Sequence, residues 1–192
     1  MAKRGSYAKG IERREQILDA ALRVIADRGY RATSVSELAA AVGLSQTGIL
    51  HYFGSKEELF IAVLRKRDEL DAAAPRGRHP VEAFIDVMRK NAEVPGLVEL
   101  FAYMSVEASN PEHPAHQFML DRYRVLTELL AGALREMQDS GSLAPDIDVT
   151  STATALAALA DGLQVRWLLD PTIDMAAQIE QFWNQIASRT QA

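Results

Sequence analysis

The 192-residue sequence contains no cysteine. That removes disulfide frameworks and all thiol or thiolate-metal chemistry, and it fits a reducing compartment. Long apolar runs are also missing: the longest, ATALAALA at 153–160, falls far short of the ~20 residues a membrane helix needs. The start, MAKRGSYAKGIERREQIL, is basic and lacks the apolar stretch of a signal peptide. These absences predict a soluble, cytoplasmic protein with no membrane partner. There is no G-x-S-x-G and no Gly-rich phosphate loop, and His51, His79, His113 and His116 have no catalytic spacing. Neither an enzyme nor a cofactor is expected. In Glu112-His113-Pro114-Ala115-His116, the proline puts the second histidine in a first helical turn and the first outside it, so no metal site is expected either.

No run alternates with period two for long enough to be a strand, and no repeat or low-complexity tract appears. What is present is helical periodicity cut by clear stops. A first helix from about Gly10 to Arg28 carries Ile17, Ala20, Ala21, Val24 and Ile25 at helical spacing, with Gly29 as its stop. Another begins at Lys56 and runs to about Leu70. DAAAPRGRHP at 71–80 then reads as a linker. Breaks at Val94-Pro95-Gly96, Ser109-Asn110-Pro111, Ser140-Gly141-Ser142 and Asp170-Pro171 leave five further helices, near 81–93, 96–109, 115–139, 148–169 and 173–189. The expected architecture is all-α, about nine helices, in two domains over 1–70 and 80–192.

The densest signals lie in 33–60, TSVSELAAAVGLSQTGILHYFGSKEELF. Ser34 and Glu37 have capping-box spacing, so a helix starts near Val35, with Val35, Leu38, Ala39 and Val42 as its buried stripe. Gly43 ends it, Leu44 tucks inward, and Ser45 caps a helix from Gln46 to about Phe53. A connection of about three residues is that of a helix-turn-helix. In the second helix Ile49, Leu50 and Phe53 fall inward, while Gln46, Thr47, Gly48, His51 and Tyr52 fall outward. Gln can pair with an adenine edge, Thr can bond a base or meet a thymine methyl, and Gly permits close approach. Gly54 breaks the helix, and Ser55 with Glu58 caps the next. Lys56 in its first turn opposes the helix dipole, and a nearby phosphate would compensate.

The run G-L-S-Q-T-G-I-L-H-Y-F-G-S-K-E-E-L, with its spacing back to Arg28-Gly29-Tyr30, resembles the DNA-binding domain of the TetR family of one-component transcriptional regulators across residues 11–65. Leu50 departs from it, standing where many members carry tyrosine, which leaves backbone contacts to His51 and Tyr52. The resemblance implies DNA contacts from Thr33, Ser36, Ser45, Gln46, Thr47, Gly48, His51, Tyr52 and Lys56. It also implies a carboxy-terminal domain that encloses a small-molecule effector and releases the protein from an inverted-repeat operator. A ligand-independent regulator or an activator of the same fold is the alternative; a helical enzyme or a scaffold without DNA binding is more distant.

Charge divides along the same line. Residues 1–67 hold 12 Lys and Arg against 7 Asp and Glu, and the remainder 9 against 19. A basic end on an acidic body is expected when one end meets phosphate, with Lys3, Arg4, Lys9, Arg13 and Arg14 free to reach it. The last two helices are apolar on two faces and must be covered on both. A homodimer seam over Leu156, Leu159, Leu163, Ile179, Phe182, Trp183 and Ile186 provides the second cover. For the effector, Met88, Phe101, Met104, Phe118, Met119, Tyr123, Met137 and Trp167 offer adaptable apolar surface, and Asn91, Tyr103, Arg124, Gln164 and Arg166 polar anchors. The set suggests a mostly apolar small molecule.

Overall fold

The computed structural model describes residues 2–72 and 79–188, with side chains from residue 8 onward. Most of the linker expected at 71–80, and the side chains of Lys3 and Arg4, therefore lie outside the described residues. Within them are nine helices: α1 Ala2–Arg28, α2 Val35–Ala41, α3 Gln46–Phe53, α4 Lys56–Ala72, α5 Pro80–Asn91, α6 Pro95–Glu107, α7 Ala115–Asp139, α8 Val149–Leu169 and α9 Met175–Ala187. No strand occurs among the described residues. The first helix starts earlier than the expected Gly10. MAKRGSYAKG holds no proline, and an interior glycine costs only about 1 kcal/mol against alanine.

Helices α1–α4 and α6 form one compact unit, and α5 with α7–α9 form a second. The division expected at 70–80 put α6 in the other half. Its place follows from contacts that no contiguous reading reveals. Gly96 packs so closely on α1 that a Cβ there would stand 2.0 Å from the Ile25 carbonyl oxygen and 2.8 Å from the Gly29 Cα. Arg67 of α4, itself buried, donates from Nη1 to the Leu97 carbonyl at 3.2 Å. Arg31 pairs with Glu99 at 2.9 Å. Ile17, Leu18, Ala21 and Ile25 of α1, Leu38, Ile49, Leu59, Phe60, Val63, and Val98 and Leu100 of α6 make the unit's core. Burying each of these side chains larger than alanine stabilises by about 1.5–3 kcal/mol.

In the second unit, His79 caps α5 by accepting from the Val81 amide at 3.3 Å, with Pro80 at the first helical position. The α7–α8 turn closes with Gly141 at φ 75°, a conformation other residues resist, and Gln138 Nε2 donates to the carbonyls of Ala144 (3.0 Å) and Ile147 (2.9 Å). Asp148 caps α8, accepting from the amides of Thr150 and Ser151, and its carboxyl is held below the ordinary range by the Ser151 amide first, then the Ser151 hydroxyl, then the Thr150 amide. Asp174 caps α9. No described helix is long and apolar enough to cross a membrane.

Candidate nucleic-acid interface

Each turn of 33–60 forms for the chemical reason its residues supply. Ser34 Oγ accepts from the Glu37 amide at 3.2 Å while the Ser34 amide donates to Glu37 Oε2 at 2.8 Å, completing the capping box. The Ser34 amide first, and then the Ser34 hydroxyl, which donates to the same carboxylate oxygen at 2.9 Å, hold Glu37 below the usual carboxylate range. Gly43 adopts φ 67°, and the Leu44 amide returns to the Ala39 carbonyl at 2.8 Å. Ser45 Oγ accepts from the Gly48 amide at 3.0 Å and starts α3. Gly54 at φ 86° ends α3, and Ser55 Oγ accepts from the Glu58 amide at 3.0 Å to begin α4. Ile49 and Phe53 are buried and Leu50 is half-buried, which anchors α3 by one face.

The other face presents Gln46, Thr47 and His51 to solvent, with Tyr52 half-buried beside His51, ring centroids 6.2 Å apart. Ser36 lies across from Gln46 and its Oγ donates to Gln46 Oε1 at 2.9 Å. The Gln46 carbonyl is thus already held, and the amide NH2 is the half left to read a base acceptor. That alters the expected two-point pairing with adenine. Thr33 does not share the exposed face: it is buried, and its hydroxyl donates to the Gly29 carbonyl at 2.7 Å, so its proton is committed to the end of α1. Gly48 is half-buried, and a Cβ there would point back at Ser45 Oγ, 3.2 Å away, rather than outward. This is the ordinary backward tilt of helical side chains.

The cations sort differently from the expected tail. Arg13 donates to the Val42 carbonyl, satisfying the end of α2, and Arg14 lies over the Phe53 ring at 4.8 Å. Arg28 pairs with Glu37, Lys66 with Glu15, and Arg67 is buried against Leu97 and Asp71. Lys9 is exposed, and so is Lys56, whose Nζ stands 5.6 Å from the Phe60 ring centroid. The raw charge split therefore overstates what faces outward.

Residues 17–63 match the family model for bacterial regulatory proteins of the tetR family, and residues 77–190 match that for the carboxy-terminal domain of BetI-type transcriptional repressors. The chain belongs to the TetR family. It is a DNA-binding transcriptional regulator. The HTH-type transcriptional regulator BetI of Rhizobium meliloti is 37% identical over 163 residues, covering 80% of this chain and 77% of that protein. A transcriptional regulator of Saccharomonospora viridis, solved in complex with choline, superposes with a TM-score of 0.69 at 25% identity over 91% of this chain and 94% of that one. FadR of Thermus thermophilus, a repressor solved with lauroyl-CoA, gives a TM-score of 0.58 at 27% identity over 90% and 92%.

In the second unit of this TetR-family chain, the residues expected at the effector site are partly regrouped. Met88, Asn91, Gln164 and Trp167 are buried there and Phe118 and Tyr123 half-buried, whereas Phe101 and Met104 sit in the core of the first unit. Arg124 and Arg166 are exposed, Arg124 pairing with Asp121 and Glu128. Sequence spacing missed Asp161. Burial raises its pKa against the opposing hydrogen bond from Tyr123 and the charge of Arg122. One turn on, Gln164 Oε1 is buried without a hydrogen-bond partner. His113 Nδ1 accepts from the Ala115 amide at 3.1 Å, and no three metal-ligating side chains cluster among the described residues.

The residues expected at the seam divide by burial. Leu156, Leu163 and Ile179 are buried within the subunit's own core, and Leu159, Phe182, Trp183 and Ile186 are half-buried. A second apolar stripe of α8, Ala155, Ala158, Gly162, Val165 and Leu169, is exposed, the last by 83%. Those positions alternate by three and four, the spacing of a helix–helix seam. With α8 apolar on two faces, sequence alone could not say which face turned inward.

Proposed function

We propose that this regulator is a cytoplasmic homodimeric repressor that binds an inverted-repeat operator through α3 and is released by a small molecule held in the second unit. The observation that carries the reading is α3 itself: fixed by Ile49 and Phe53, it offers Gln46, Thr47 and His51 outward from a turn closed by Gly43 and Ser45. Thr47 and the Gln46 NH2 read base edges; Ser36 holds Gln46 in place; Ser45, His51, Tyr52 and Lys56 serve the phosphates. Gly48 keeps the turn compact, and Thr33 holds the end of α1. Two copies join along the exposed α8 stripe, setting the recognition helices about 34–36 Å apart for successive major grooves.

The effector occupies the interior of the second unit, against Met88, Asn91, Phe118, Tyr123, Gln164 and Trp167. Its body is mostly apolar, and it brings a hydrogen-bond donor to the Gln164 carbonyl. A coupling of about 2–3 kcal/mol would weaken operator binding about 30- to 150-fold. The relatives solved with choline and with lauroyl-CoA support a ligand-responsive repressor. The test is affinity for cognate and random DNA across a salt series. Thr47→Ala and Ser36→Ala lower cognate affinity by ~1–3 kcal/mol and leave random DNA unchanged. Lys56→Ala weakens both alike and reduces the salt slope by about 1. Equal loss on both DNAs for Thr47→Ala removes it from the base-reading set.

A further inference from the structure

The first unit contains a cleft of about 330 Å³ that shares only Lys56 with the proposed DNA-binding residues and lies apart from the proposed effector site. It lies where the end of α1, the start of α4 and the second half of α6 meet. Three aromatic rings form its walls: Tyr30 stands 5.1 Å from Phe60, edge-on at 79°, and 5.1 Å from Tyr103, tilted by 37°. The buried thioether of Met104 adds a polarisable surface. Glu57 and Glu107 contribute two carboxylates, Lys56 an ammonium and His113 an imidazole whose Nδ1 is held by the Ala115 amide.

We propose that this cleft binds a small organic cation, an alkylated ammonium, with its alkyl groups against the rings of Tyr30, Phe60 and Tyr103 and its charge facing Glu57 and Glu107. Ring faces and carboxylates together favour a cation that carries apolar surface. An anion is opposed by the two glutamates. A bare metal ion would need several close oxygen or nitrogen ligands, and no such group of three stands together among the described residues. The protein already shows the interaction in part, since the Lys56 ammonium rests over Phe60 at 5.6 Å. The Tyr30 hydroxyl reports the same field: burial first, then Tyr103 and the charges of Glu57 and Glu107, push its pKa up to about 12. The volume lies at the lower end of small-ligand sites, which suits a compact ammonium and not a long-chain ligand.

The test uses the full-length protein with 13C-methyl methionine, titrated with tetramethylammonium chloride, sodium chloride at equal ionic strength, and neutral tert-butanol. The Met104 methyl, assigned by its loss in Met104→Leu, shifts saturably with tetramethylammonium and not with sodium chloride; tert-butanol binds at least ~10-fold more weakly. Glu107→Gln and Tyr103→Ala each weaken tetramethylammonium binding about 3- to 10-fold; both side chains are solvent-exposed, so the fold is kept. An unmoved Met104 methyl, an equal response to tert-butanol, or unchanged affinity in both variants overturns the proposal. Movement confined to Met88 also overturns it, because that places the cation in the other unit.

Discussion

Charge at a single residue says little about its partner until the chain is folded. Arg13 and Arg14 sit in a basic stretch suited to phosphate, yet one closes the Val42 carbonyl 29 residues away and the other covers Phe53. The outward residues of α3 were legible, because helical spacing decides which side chains Ile49 and Phe53 leave exposed. The Ser36–Gln46 bond was not, since it joins two helices across a turn. Tyr30 shows what such packing does to chemistry. Its pKa is about 12 against 10.0 for a free tyrosine, so the folded state keeps the proton longer than the unfolded one. The resulting stabilisation is full below pH 10 and is lost as pH rises towards 12. Ultraviolet titration should show one late-ionising tyrosine that is absent in Tyr30→Phe. Ionisation of all five near pH 10 would contradict the buried hydroxyl.

The elements were legible nearly throughout, because their ends are written in local chemistry. Ser34, Ser45, Ser55, Asp148 and Asp174 all cap helices by accepting from amides two or three residues on, and Gly29, Gly43, Gly54 and Gly141 take the positive φ that stops require. Assignment of α6 to the first unit was beyond reach, since it rests on Gly96 lying against the α1 backbone. Gly96→Ala tests that contact directly. A methyl driven into the Ile25 carbonyl forces α6 away from α1 and costs ~1–3 kcal/mol despite alanine's better helix propensity. Urea unfolding measures it, and undiminished stability would mean that α6 does not press on α1.

For the whole molecule, apolar excess in α8 was legible but its direction was not. Leu156 and Leu163 fill the subunit's core, and the Ala155–Ala158–Gly162–Val165–Leu169 stripe is exposed, which is why the proposed seam runs along it. Leu169→Lys removes nothing buried within one subunit. At a two-fold seam it is lost twice, at about 1.5–3 kcal/mol each, so dimer dissociation rises by ~100-fold or more. Sedimentation over a concentration series reads it, and an unchanged dimer would place the seam elsewhere. Two-fold symmetry is also what the DNA should record. The most direct measurement is therefore selection of bound fragments from random or genomic DNA by the purified protein at near-physiological salt, read by sequencing. A homodimer reading bases through α3 enriches an inverted repeat whose half-sites lie a whole number of helical turns apart. Binding without enrichment would leave phosphate attraction alone and contradict a sequence-specific regulator.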